Sequence, residues 1–180
     1  MDPVVPATLA PVQTLTRVPP EQLRELFLFE ELSDEQLGWV SEHGEVVEVG
    51  AGVDVCVEGE PAECFYVLLS GSLSLIRVVG DNPVEITRTD QRGVYAGAVQ
   101  FYLGDQVDQV YTATARATSD STFLALRARE FMEAFRSWQP MAVHLLQGLF
   151  VGQRNSNAIV GQRERLLALG KLAAGLTHEL

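Results

Sequence analysis

His178 followed by Glu179 is the pair with the most chemical reach in the chain. An imidazole is both nucleophile and proton carrier near neutral pH. An adjacent carboxylate can orient the ring and accept a proton as a bond forms at the other nitrogen. The other two histidines, His43 and His144, have no comparable context and are read as structural or surface residues. Cys56 and Cys64 form no metal-binding pattern, and their spacing does not define a bridge, so they are read as reduced thiols. The β-rich stretch from Glu45 to Leu126 contains no histidine. A metal enzyme on such strands would need clustered imidazoles and carboxylates, so no metal site is expected.

The segment carrying His178 reads as a helix. With Ile159 as heptad position a, the a and d positions are Ile159, Gln162, Leu166, Leu169, Ala173, Leu176 and Leu180, and six of the seven are apolar. That is the seam of a coiled coil or helical bundle, which predicts a homodimer through this helix. His178 falls at f, opposite the seam, where an incoming group could reach its ring.

Residues 1–20 hold five of the eight prolines and are expected to be a disordered leader. Pro19-Pro20-Glu21 opens a helix to about Phe29, with Leu23, Leu26 and Phe27 on one face. Ser33 and Gln36 fit a capping box for a second helix to about Glu42, and Gly44 suits the left-handed position after it. Short β-type runs then follow at 46–49, 53–57, 65–69, 72–78, 84–87, 111–118 and 122–126, with turn residues between most of them, as at Gly80-Asp81-Asn82-Pro83. This spacing predicts an antiparallel sandwich or roll. Arg129–Trp138 is expected to be helical, and a long helix is expected from Pro140 onward.

Composition narrows the function classes. An apolar share of 47% supports a real core. Net charge is −11, from 24 acids against 13 Lys plus Arg, which opposes nucleic-acid binding. No run approaches the ~20 apolar residues that span a bilayer, and the start lacks the positive region of a signal peptide. The expectation is a cytoplasmic protein with neither nucleic-acid nor membrane partners.

Two resemblances follow. The run Gly59-Glu60-Pro61-Ala62-Glu63-Cys64-Phe65-Tyr66-Val67-Leu68-Leu69-Ser70-Gly71-Ser72-Leu73, with Leu28–Leu37 before it, resembles the cyclic-nucleotide-binding domain of the Crp–Fnr family over residues 21–150. The resemblance implies a mainly β fold with flanking helices, an eight-stranded jelly-roll-like antiparallel β-roll, followed here by the long C-terminal helix. Ligand chemistry in that family resides in a cassette that begins Gly-Glu and ends Arg-Ser/Thr-Ala. Backbone N–H groups and the arginine hold the cyclic phosphate, and the glutamate holds the ribose. The matching stretches here are Gly93–Phe101 and Tyr111–Ala117. Gly97 aligns with the glycine, but Ala98 replaces the glutamate and Tyr111 replaces the arginine. Arg116 cannot substitute, because side chains alternate along a strand. Burying a phosphate without a cation costs several kcal/mol. Three readings stay open: cAMP or cGMP binding, a neutral or apolar ligand touching Tyr111, and a ligand-free relay. Candidate lining residues are Gly97, Ala98, Gln100, Tyr111, Thr112 and Thr114.

The second resemblance covers Arg163–Leu180, which is similar to the dimerisation and phosphoacceptor segment (H-box) of a sensor histidine kinase. It implies His178 as phosphoacceptor and Glu179 as its acid/base helper, with residues 151–180 as signalling helix. ATP with Mg, the ATP-binding kinase domain and a response regulator would then be partners from outside these 180 residues. The 180 residues alone are not expected to catalyse phosphorylation. The alternatives are an authentic cAMP/cGMP-binding signalling module, or a fragment of a Crp–Fnr-type transcription regulator, which would need a basic helix-turn-helix.

Overall fold

The structure, a computed structural model, describes residues 17–100, 107–138 and positions 161, 162, 165, 166 and 168. Three helices and eight strands lie among them: α1 Pro20–Arg24, α2 Asp34–His43, β1 Glu45–Val49, β2 Asp54–Cys56, β3 Cys64–Ser70, β4 Leu73–Val79, β5 Asn82–Thr89, β6 Tyr95–Gly97, β7 Thr114–Ala117, β8 Ser121–Arg127 and α3 Ala128–Phe135. The strands form two four-stranded antiparallel sheets, ordered β1-β8-β3-β6 and β2-β7-β4-β5. The mainly β antiparallel roll expected from the strand spacing is therefore present.

Local chemistry sets the element ends. Ser33 accepts from the Gln36 N–H at 3.3 Å while the Gln36 side chain accepts from the Ser33 N–H at 2.9 Å, so the capping box of α2 is complete. Gly80 and Asp81 both have positive φ (50° and 65°) between paired Val79 and Asn82. A two-residue turn of that hand matches the twist of a hairpin. Pro83, expected in the turn, instead lies in the β5 ladder, next to Asn82 and opposite Val78. β5 is an edge strand, where a missing N–H is tolerated.

Several expectations need correction. The first helix ends at Arg24 rather than near Phe29, and the chain continues in three-residue turns closed by Leu26 N–H to Leu23 O, Phe29 N–H to Leu26 O and Leu32 N–H to Phe29 O. The run Leu26-Phe27-Leu28-Phe29 would wrap around a regular helix. The turns bury Leu26, Leu28 and Phe29 and leave Phe27 outside, 58% exposed. Gly44 is extended (φ −81°), not left-handed. Its lack of a side chain is needed because a Cβ would lie 2.5 Å from Leu124 Cδ1 and 2.7 Å from the Val40 carbonyl. The strand expected over 111–118 begins only at Thr114, and β6 was not anticipated.

The core lies between the sheets and under the helices. Phe65, Phe123, Leu68, Leu73, Leu124 and Leu126 are fully buried. Phe131 of α3 packs against Phe65, Phe135 and Trp138 at centroid distances of 5.3, 5.9 and 6.3 Å. Val18, inside the proline-rich leader, is also buried. Most of the expected long C-terminal helix lies outside the described residues. Positions 161, 162, 165, 166 and 168 are helical.

Candidate functional site

The candidate site lies where β6, the turn before β3 and the segment leading into β7 converge. The 107–114 segment is latched to that turn through its backbone. Tyr111 N–H donates to the Glu60 carbonyl, Gly59 N–H to the Tyr111 carbonyl and Ala62 N–H to the Gln109 carbonyl, each at 2.9 Å. Pro61 and Val110 pair as a bridge beside them. This latch sends the Tyr111 side chain inward, where it is 6% exposed. Its hydroxyl oxygen accepts from the N–H groups of both Glu63 and Cys64 at 3.2 Å. The Tyr66 hydroxyl lies against it.

Gly97 meets the same wall from β6. Its φ is +93°, and a Cβ there would come 2.6 Å from the Cys64 carbonyl and 2.8 Å from the Tyr66 ring. Glycine is required on both counts. Ala98 is fully buried, its N–H donating to the Cys64 carbonyl at 2.9 Å. Gln100 is half-buried, and its carbonyl accepts from the Gln109 side chain at 3.4 Å. Thr114 accepts from the Glu58 N–H at 3.0 Å, so its hydroxyl is tied to the neighbouring turn. Thr112 is half-buried. The structure thus brings Gly97, Ala98 and Tyr111 together around Cys64 and Tyr66, which the sequence did not single out as lining residues. The signal for Tyr66 was present only as one aromatic among the alternating residues of a strand.

Residues 46–137, more than half of the 180, match the family model described as cyclic nucleotide-binding domain. The chain belongs to that family. Among curated proteins none matches the chain. Among solved structures, the sensor domain of the transcriptional regulator DNR from Pseudomonas aeruginosa is 26% identical, covering 73% of this chain and 85% of that one with a TM-score of 0.61. The regulatory domain of Toxoplasma gondii PKA with cAMP is 17% identical (TM-score 0.62), over 72% of this chain and 49% of that one. The regulatory subunit of a cAMP-independent protein kinase A from Trypanosoma cruzi bound to guanosine is 19% identical (TM-score 0.58), over 65% of this chain and 40% of that one. At those identities the latter two share the fold alone.

In this cyclic nucleotide-binding domain two arginines of the β2-β7-β4-β5 sheet face carboxylates, and the Nε of one, Arg77, is buried without a hydrogen bond. Arg116, exposed on β7, holds Asp54 in a two-point ion pair at 2.6 and 2.9 Å. Arg77 of β4 faces Glu58 at 3.8 Å. The Tyr111 ring itself fills the recess between Gly97, Ala98, Cys64 and Tyr66, and the thiols and phenols gathered there are neutral. Burial pushes the Cys56 thiol up to about 11 and raises the Cys64 thiol as well. Burial also raises the Tyr66 and Tyr111 phenols, the Cys64 N–H offsetting part of the rise at Tyr111. Neutral thiols and phenols offer hydrogen bonds and apolar surface, not a counter-charge. Protonated thiols are also poor metal ligands, and among the described residues no cluster of His, Cys, Asp or Glu could hold a metal ion.

The other predicted site residues fall elsewhere. His178, Glu179, Ile159, Leu169, Ala173, Leu176 and Leu180 lie outside the described residues. Leu166 is described, helical and 53% exposed in the single chain. No helix among the described residues is long and apolar enough to cross a membrane.

Proposed function

We propose that this chain is the regulatory portion of a cytoplasmic two-component sensor histidine kinase, in which the roll biases the geometry of a dimeric helix bearing His178. The observation that carries the regulatory half is Tyr111. In the sequence resemblance it replaces the family's phosphate-binding arginine; it is buried, and its hydroxyl oxygen already accepts from two backbone N–H groups. With Ala98 in place of the ribose glutamate and Tyr111 in place of the arginine, these two cassette positions offer a cyclic phosphate neither a cation nor a ribose acceptor. The roll therefore acts through something other than ordinary cAMP or cGMP recognition.

The output half rests on the similarity of Arg163–Leu180 to a kinase phosphoacceptor segment. Leu166, exposed in the single chain, supports a seam waiting for a second copy. In this reading His178 takes phosphate, Glu179 orients it, and ATP with Mg enters on a separate kinase domain before a response regulator collects the phosphate. A signal shifts kinase output only by favouring one of two helix arrangements.

A second reading, the sensor part of a Crp–Fnr-type transcription regulator, is favoured by the likeness to the DNR sensor domain. It requires a basic recognition helix following the roll.

The test for the recess is a gain of function. The double substitution Ala98→Glu with Tyr111→Arg restores both missing groups and is expected to bring cAMP affinity at least ~30-fold above that of the unaltered chain, the factor corresponding to about 2 kcal/mol. A folded double variant with unchanged cAMP affinity would show that the two residues do not govern ligand choice.

A further inference from the structure

We propose that the Tyr111 phenol is an internal ligand of the roll, so that the recess is built to recognise a planar aromatic ring carrying an oxygen acceptor. The proposal rests on the reading above that no nucleotide phosphate is held beside Tyr111.

Consecutive N–H groups of an extended strand point to opposite sides. At the start of β3 the N–H groups of Glu63 and Cys64 instead converge on one oxygen, both at 3.2 Å. Two backbone donors aimed at one point form a small concavity for an acceptor. A core aromatic needs only apolar contact, whereas the Tyr111 oxygen also accepts from two backbone N–H groups, of which Glu63 N–H is shared with the Pro61 carbonyl at 3.1 Å. Its ring is enclosed with it, beside Tyr66. The backbone latch at Gly59, Glu60 and Ala62 fixes the ring's approach from the other end. Gly97 keeps the facing wall flat, since any side chain there would strike Tyr66 and the Cys64 carbonyl. Burial favours the neutral phenol over phenolate at this position.

Withdrawing the side chain should leave the Cys64 N–H without its acceptor and the Glu63 N–H with the Pro61 carbonyl alone, in a space that a free phenol of matching shape fills. The test is chemical rescue of Tyr111→Gly in the full chain by 4-methylphenol, read as a melting temperature. The variant is expected to melt below the unaltered protein and to recover saturably with 4-methylphenol. Toluene should recover less, and the unaltered protein should not respond. No recovery, equal recovery by toluene, or an equal response of the unaltered protein would overturn the proposal.

If Tyr111→Gly does not fold, Tyr111→Phe decides. Removing the hydroxyl alone should speed hydrogen exchange at the Cys64 amide at least tenfold, and less at Glu63, which keeps the Pro61 carbonyl, while the β3–β8 ladder stays protected. Unchanged exchange would overturn the proposal. A failed rescue in a protein that still ignores cAMP would defeat this inference alone. Tight cAMP binding by the unaltered protein would defeat the reading beneath it.

Discussion

At the residue scale, function turns on one exchange of charge for neutrality. An arginine in the recess would offer a cyclic phosphate a two-point cationic partner. Tyr111 offers an aromatic ring and an oxygen already used by two N–H groups. The same neutrality has a consequence for stability. Cys56 is pushed up to about 11 and Tyr95 to about 12, both chiefly by burial. These groups ionise more readily in the unfolded chain, so the folded state holds more protons at alkaline pH. Their contribution is complete below the unfolded thiol value of 9.0 and is lost as pH rises through the folded values. Thermal melts should be flat from pH 7 to about 8.5 and fall between about 9 and 12. Cys56 alone accounts for on the order of 2 kcal/mol of that loss. A melting temperature that holds steady through pH 11 would contradict the assignment.

At the element scale, two short devices set the frame that carries the recess. The capping box satisfies two otherwise orphaned N–H groups at the start of α2, and Ser33→Ala should cost about 1 kcal/mol, measurable as a shifted urea midpoint. Gly44 joins α2 to β1 where Leu124 and the Val40 carbonyl leave no room for a Cβ. Gly44→Ala should destabilise by about 1–3 kcal/mol through overpacking, with no change at the recess. The capping box, most of the strands and the Phe131–Phe135 stripe were legible because their signals are local. Ser33 and Gln36 are three residues apart, and strand alternation repeats every two. Other features were hidden because their causes are not local. The Leu26–Phe29 run abandons its helix to bury three side chains against tertiary neighbours. Gly44 is explained partly by Leu124, eighty residues away. In the recess, replacement of the cassette residues could be read directly at Ala98 and Tyr111. The donors that hold Tyr111 could not, because a backbone N–H carries no sequence signature.

At the scale of the whole molecule, the proposed function requires a second copy to cover the helix that follows the roll. Leu166 leaves an apolar side chain in solvent in the single chain, and the heptad places it on the seam with Ile159, Leu169 and Ala173. Sedimentation velocity should find a dimer, and Leu166→Glu should return it to a monomer while the roll keeps its melting temperature. A monomer at high concentration in the unaltered protein would remove the physical basis for coupling roll to helix. The central claim is that the roll does not recognise a cyclic-nucleotide phosphate, and calorimetric titration of the unaltered chain with cAMP tests it most directly. The account predicts no saturable heat at micromolar ligand. Saturable binding with a micromolar Kd would contradict it.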